Sequence, residues 1–199
     1  TLAEQVSFAG MKQAHIAETE KYPHATYFLN GGREQPYDGE EHIMVPSRKD
    51  VPTHDLAPKM RAEGIANKAV EALNNGVEFI FINFANADMV GHTANVPAII
   101  EAVEEVDTQL KRVVEKVQEL GGVVFITADH GNAELNIEPT TGEKHTAHTT
   151  NLVPGLLTNT EYTLNTGTLA DVAPTVLELF GIEKPSAMTG NSLLNKPSK

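Results

Sequence analysis

A succession of apolar strand, long amphipathic helix and second apolar strand constrains the fold of this chain more than any other feature. Residues 78–84 are almost all apolar or aromatic, as expected of a strand covered on both faces. Across 99–120, apolar residues recur every three or four positions, which predicts one amphipathic helix that ends at Gly121 and Gly122. A second apolar strand follows at 123–127. This order predicts an α/β fold with a mostly parallel sheet and helices on both faces.

Shorter patterns predict the remaining elements. Three further helices are predicted at 2–9, 59–75 and 169–180, and three further strands at 13–17, 42–46 and 153–158. Residues 21–29 are compatible with helix or loop, and 85–95 are predicted to be a loop. Apart from its one strand, the segment 30–58 is rich in Gly, Pro, Asp and Glu and is predicted to be a long excursion from the sheet.

Composition excludes several classes of protein. The 199 residues include 15 Lys and Arg against 27 Asp and Glu, 8 His and no Cys. Without cysteine there is no disulfide scaffold, thiolate zinc site or cysteine nucleophile, and we expect a cytoplasmic protein. A net charge of −12 argues against binding to nucleic acids or to anionic membrane surfaces. The longest apolar runs are far shorter than the roughly 20 residues of a membrane span.

Acidic and histidine side chains cluster where the predicted strands end. The pairs are Asp88 with His92, Asp129 with His130, and His145 with His148. Because ligands bind beyond the carboxyl ends of strands in such sheets, we expect these groups to converge at one edge. Any single Asp or His after a strand is more often a cap than a ligand, but three pairs together indicate a metal site. Imidazole and carboxylate suit zinc, manganese or iron, and two ions about 3.5–4 Å apart would favour phosphoryl transfer.

The motifs around these pairs resemble a known family. Segments 83–93, 127–134 and 145–151 resemble the cofactor-independent phosphoglycerate mutases of the alkaline phosphatase superfamily. Segment 16–24 is similar to the substrate-facing lysine segment of that family, and 169–177 resembles a helix start shared by phosphatases and sulfatases. The resemblance implies an alkaline-phosphatase-like sheet and a phosphoglycerate substrate.

The resemblance also implies roles for individual residues. Two divalent ions are implied, with Mn²⁺ favoured and Zn²⁺ also compatible with the ligand types. Lys21 would contact the transferring phosphoryl group. The first ion would be held by Asp88, His92 and His148, and the second by Asp129 and His130.

Other candidate residues receive weaker interpretations. His145 is interpreted as a solvated loop residue and His24 as a structural one. Arg33 could bind phosphate, although an ordinary turn is the more common reason for the Gly31-Gly32-Arg33 sequence. The remaining histidines carry no matching motif and are interpreted as surface or core-edge residues; they are His15, His42 and His54.

The chain is expected to contain only part of the family's catalytic domain. The family forms a phosphoserine, and its serine and a further Asp ligand lie in an N-terminal segment that has no counterpart here. None of the five serines opens a helix after a strand, and the second ion has two ligands instead of about four. Because the sequence starts without Met or a signal peptide, we expect an internal start.

We therefore predict that 1–199 is the C-terminal portion of a metal-binding phosphatase-like domain. The nucleophile segment and the inserted substrate-orienting domain would be absent, and the isolated chain would be inactive. Two alternatives remain open. One is another enzyme of the same superfamily, such as a phosphopentomutase, phosphodiesterase or sulfatase. The other is a non-catalytic metal-binding module.

Overall fold

Three parallel strands form the central sheet: β1 (Gln13–Glu18), β2 (Glu40–Val45) and β3 (Phe79–Asn83). The computed structural model describes residues 1–196. Strand β1 lies in the middle, and its residue Ala14 is in register with Glu41 of β2 and Ile80 of β3. Because all three strands run in the same direction, their carboxyl ends meet at one edge of the sheet.

Helices cover both faces of this sheet, as the sequence predicts. The described helices are α1 (Leu2–Phe8), α2 (Ala62–Asn74), α3 (Asn86–Gly91), α4 (Val96–Glu119) and α5 (Val172–Leu179), of which α3 packs on α4 and not on the sheet. Alternate strand residues point to opposite faces, so Ile16 packs with Ile65 of α2 and Val113 of α4. On the other face, Phe79 packs with Leu177 of α5 and with α1. The predicted α/β class is confirmed, and none of the described helices is long and apolar enough to cross a membrane.

The strands predicted at 123–127 and 153–158 differ from the prediction in their pairing and burial. Strand β4 (Phe125–Thr127) pairs with β5 (Gly155–Leu157) in an antiparallel ladder, and within residues 1–196 it has no hydrogen-bonded pairing with β3. Most of β5 is exposed. The expectation of two further buried strands in the parallel sheet was wrong, because a short apolar run carries no information about its partner. A second short antiparallel pair joins β6 (Thr163–Leu164) to β7 (Leu194–Asn195).

The bounds of several helices and loops also differ from those predicted from the sequence pattern. The predicted loop 85–95 contains helix α3, since Ala85 and Val90 bury their side chains against α4. The predicted helix at 169–180 begins with a 3₁₀ turn at Leu169–Asp171 before α5. The segment left open between helix and loop forms a π-helical turn at His24–Phe28, and a second 3₁₀ turn lies at His54–Leu56.

Candidate metal centre

Helix α3 positions the first two candidate ligands. It begins three residues after the end of β3, and it carries Asp88 in its first turn and His92 at its C-terminal cap. Residues four apart share one face of a helix, so the two side chains point the same way. Asp88 Oδ1 lies 3.2 Å from His92 Nε2. The i,i+4 spacing in the sequence therefore translates directly into a pair of adjacent donor atoms.

His148 completes a group of three. Its Nε2 lies 3.0 Å from Asp88 Oδ1 and 3.2 Å from His92 Nε2, although it is 60 residues away from Asp88 in the chain. One atom of each side chain therefore faces a common point. A carboxylate and two imidazoles at such separations suit a divalent transition ion, and three protein ligands leave a coordination position for substrate.

A backbone contact orients the imidazole of His92. Its Nδ1 lies 2.7 Å from the carbonyl oxygen of Thr146, which can only accept a hydrogen bond. Nδ1 therefore carries a proton, and Nε2 is the ring nitrogen that faces Asp88 and His148. Second contacts of this kind are usual for histidines that bind metals.

Lys21 reaches the same carboxylate from the loop that follows β1. Its Nζ lies 2.6 Å from Asp88 Oδ2, and both side chains are largely buried. Burial opposes ionisation of Asp88, but the hydrogen bond and charge of Lys21, with His92 and His130 nearby, lower its pKa below the ordinary value. The result is an ionised carboxylate beside a fixed ammonium group.

The two residues predicted for a second ion lie beside this group. The ring of His130 stacks on that of His148 at 3.6 Å between centroids, and its Nε2 lies 4.0 Å from Asp88 Oδ1. Asp129 is further out, with a side chain that is 54% exposed and an Oδ2 3.6 Å from His130 Nε2. The structure brings His130 to the cluster and leaves Asp129 at its rim, so these two groups alone make an open site.

Asn132 contacts the candidate ligands, although no role was predicted for it from the sequence. It is buried, and its Nδ2 donates to Asp88 Oδ1 at 3.1 Å while its Oδ1 has no hydrogen-bond partner. A side chain at Gly91 would overlap this amide, so only glycine allows α3 to approach so closely. The Asp-His-Gly-Asn sequence at 129–132 was the available signal, but it does not say which ligand the amide contacts.

Glu134 joins two loops that each carry candidate ligands. One carboxylate oxygen accepts from Thr149 Oγ1 and Asn151 Nδ2, and the other accepts from the backbone N–H of Asn132. The bond from Thr149, with smaller contributions from the other two donors, lowers the pKa of Glu134 to about 2. The carboxylate thus fixes the loop of His130 against the loop of His148.

The other sequence candidates lie in local structure. His145, predicted to be a solvated loop residue, has its Nδ1 3.2 Å from the carbonyl oxygen of Leu135. His24 packs against an aromatic ring in its own π-helical turn, consistent with a structural role. Arg33 donates to a backbone carbonyl two residues along and stacks over Tyr37, so the ordinary turn is the better description.

The interpretation of the unassigned histidines was wrong for one of them. His15 is fully buried beneath the sheet, where it contacts Glu40. His42 is partly buried beside it, and His54 opens a 3₁₀ turn. The sequence pattern could not predict this burial, because a histidine that alternates with apolar residues in a strand can lie on an exposed face or on a buried one.

Comparisons with known proteins show the family to which the chain belongs. The family model of the metalloenzyme superfamily matches residues 1–184. A 2,3-bisphosphoglycerate-independent phosphoglycerate mutase of Rhodopseudomonas palustris is 54% identical over 194 residues, which are 97% of this chain and 38% of that protein. A protein of the same name in Gluconobacter oxydans is 52% identical, with the same coverage. The chain thus spans about 38% of the length of these relatives.

Solved structures give the same result. A structure of Leishmania mexicana phosphoglycerate mutase, determined at low cobalt concentration, matches 96% of this chain and 38% of that chain, with 30% identity and a TM-score of 0.87. A 2-O GAG sulfatase with 15% identity and a TM-score of 0.62 shares the fold. The resemblance to cofactor-independent phosphoglycerate mutases is therefore confirmed. With its three-ligand cluster and a family match over residues 1–184, the chain belongs to the metalloenzyme superfamily.

Proposed function

We propose that this chain supplies part of the active site of a 2,3-bisphosphoglycerate-independent phosphoglycerate mutase, which interconverts 2-phosphoglycerate and 3-phosphoglycerate. The observation that carries the proposal is the convergence of Asp88, His92 and His148 beside Lys21. Identities of 51–54% to relatives with that name support it. A cytoplasmic location and a role in glycolysis belong to the same proposal, because they follow from this reaction.

Metal binding is assigned to five residues. Asp88, His92 and His148 would hold one divalent ion, and Asp129 with His130 would contribute to a second. Mn²⁺ is the proposed ion on the basis of the family resemblance, and Zn²⁺ is compatible with the same donor types. When bound, two such ions would neutralise charge that develops on the oxygens of a transferring phosphoryl group.

Lys21 is proposed to bind the phosphoryl group. Its ammonium group is held at the centre by the carboxylate of Asp88, and little of the side chain is exposed. A positive charge in such a poorly hydrated position stabilises an anionic transition state more than the same charge in water does. Because Asp88 fixes Nζ before substrate arrives, the lysine would need no reorganisation during the reaction.

The serine nucleophile is assigned to a segment outside these 199 residues. Of the serines in the described part of the chain, Ser7 donates to the carbonyl of Asp38, and the hydroxyl of Ser47 lies within hydrogen-bond distance of the carboxylates of Glu18 and Glu20. We propose that the chain corresponds to the C-terminal portion of a phosphatase-like domain. The serine, a further ligand for the second ion and the substrate-orienting domain would then come from the rest of the protein.

A chimera tests this division of roles. The 199 residues would replace the matching segment of the Rhodopseudomonas palustris relative, and interconversion of the two phosphoglycerates would be assayed with Mn²⁺ present. We expect an active chimera. We expect His148→Ala to lower kcat by at least about 100-fold, because the ion that would neutralise charge on the phosphoryl group loses one of its ligands. His145→Ala is the matched control and should retain the activity of the parent chimera.

Two results would contradict the proposal. One is a folded chimera that is inactive, or one in which His148→Ala has no effect. The other is activity of the isolated 199-residue chain within about tenfold of a typical kcat near 10 per second, since a chain without its nucleophile should not turn over.

A further inference from the structure

A second cluster of potential ligands lies between β1 and β2, beneath the sheet. Gln13 and His15 of β1 are in register with Glu40 and His42 of β2, so the four side chains share one face. The side chains of His15 and Glu40 are 0% exposed, and that of His42 is 9% exposed. Nothing in the proposed mutase reaction uses this cluster.

Three side chains of this cluster each place a potential ligand atom close to those of the other two. Glu40 Oε1 lies 3.2 Å from His15 Nδ1 and 2.7 Å from His42 Nε2. The carbonyl oxygen of Ala25, in the π-helical turn, lies 2.8 Å from the same His15 Nδ1. Two imidazole nitrogens and a carboxylate oxygen therefore lie close together, and a carbonyl oxygen from the π-helical turn lies beside one of the nitrogens.

The proton count at His15 requires a positive species there. Gln13 Nε2 donates to the carbonyl of Ala3 at 2.8 Å, so Gln13 Oε1 is the atom that faces His15 Nε2, at 3.2 Å. Nε2 must therefore carry a proton. In neutral His15 the remaining lone pair on Nδ1 would face two further acceptors, Ala25 O and Glu40 Oε1, with no donor between them. Either a second proton or a metal ion resolves this conflict.

Asn30 gives an independent indication of a missing partner. Its side chain is 2% exposed, its Nδ2 donates to Glu40 Oε1 at 2.7 Å, and its Oδ1 has no hydrogen-bond partner. Rotation of this amide would bring an oxygen ligand to the cluster.

We propose that His15, Glu40 and His42 form a structural site for a divalent transition ion of the Zn²⁺ type, separate from the Asp88 cluster. The carbonyl of Ala25 would take the fourth position, which closes a four-coordinate site. Mixed nitrogen and oxygen donors suit Zn²⁺ better than Mg²⁺ or Ca²⁺, which prefer oxygen alone. Gln13 would hold the Nε2 proton of His15, as second contacts do at other histidine ligands.

A metal ion at this site would stabilise the segment that contains Lys21. Ala25 lies four residues beyond Lys21, in a turn whose backbone N–H at Ala25 bonds to the Lys21 carbonyl at 3.0 Å. An ion bound to the Ala25 carbonyl and to both strands would join this turn to the sheet. Its role would therefore be to stabilise the local fold.

Metal stoichiometry in a variant of the full 199-residue chain tests the proposal. Asp88→Asn, His92→Ala and His148→Ala together disable the first cluster, and Zn²⁺ is then titrated under equilibrium dialysis with metal analysis. We expect one bound Zn²⁺ per chain, and Co²⁺ in its place should give the visible absorption of a four-coordinate ion. Adding His42→Ala should weaken binding roughly 100-fold or more. His54→Ala is the control, because this residue lies outside the cluster.

Histidine spectra of the unaltered chain provide a second readout that does not depend on those variants folding. Long-range ¹H–¹⁵N spectra distinguish an imidazolium from a single tautomer, and Zn²⁺ should shift the His15 and His42 signals. The proposal is overturned by a doubly protonated His15 near neutral pH whose signals do not respond to Zn²⁺. A folded triple variant that binds no Zn²⁺, or binding that survives His42→Ala, overturns it as well.

Discussion

Asn132 connects the candidate ligands without being one of them. Its amide donates to Asp88, and its side chain fills the space that the absent side chain of Gly91 leaves on α3. A carboxylate that binds a metal is usually hydrogen-bonded to a second group, which fixes its orientation. Without that bond, ordering the carboxylate on metal binding would weaken the affinity. The pairing of a glycine with an amide therefore sets the position of Asp88.

Gly91→Ala should weaken metal binding while the fold is retained. The added methyl group would overlap Asn132 Oδ1, so the amide would move and Asp88 would lose its contact. We expect the affinity for Mn²⁺ to fall about 10- to 100-fold, as for the loss of other second contacts. Isothermal titration of the 199-residue chain measures it. Gly155→Ala is the matched control, since a methyl group there would meet only Leu164 at an ordinary 3.8 Å; equal affinities in both variants would contradict the prediction.

Helix α2 illustrates how an element is held in place mainly by its buried face. Ile65, Ala66 and Ala69 pack against Ile16 of β1, and small alanines allow the helix to approach the strand closely. The apolar spacing predicted a helix at 59–75, because a helix with one apolar stripe must bury it. The polar face of α2 carries ion pairs such as Lys68 with Glu71, which contribute little because they are exposed.

Ile65→Ala should destabilise the chain by about 2–5 kcal/mol. The side chain is fully buried between α2 and the sheet, so its removal leaves a cavity as well as lost apolar contact. Urea denaturation followed by circular dichroism measures the free energy of unfolding. Leu120→Ala, at a largely exposed leucine beyond α4, is the control and should change stability far less. Similar losses in the two variants would refute the assignment of Ile65 to the core.

The whole molecule depends on ties between segments that are far apart in the chain. Asp88 follows the last strand of the parallel sheet. His130 and His148 lie in the segment that connects the antiparallel strands β4 and β5. Glu134 holds the loop of His130 against the loop of His148 through hydrogen bonds from Thr149 and Asn151. The centre is therefore assembled across two sheets.

Acid should loosen these loops through Glu134. Its folded-state pKa of about 2 lies below the ordinary 4.5, so its stabilising effect is present above pH 4.5 and is lost as the pH falls toward 2. We expect hydrogen exchange in residues 145–151 to become faster across this range, relative to exchange in α4. Glu134→Gln should remove most of that pH dependence, because its amide does not titrate. A variant and parent with the same profile would show that another group is responsible.

Periodicity and spacing determined the α/β class, the long helix α4, the strands β1 and β3, and the pairing of Asp88 with His92. These features depend on the burial of one element or on residues one helical turn apart, which a local sequence pattern records. Only the tertiary structure decided the antiparallel partner of β4, the contact of Lys21 with Asp88, the position of Asn132 and the burial of His15 with Glu40. Each of these joins residues from separate elements, and its energy depends on packing and hydrogen bonding between them, which no local pattern encodes.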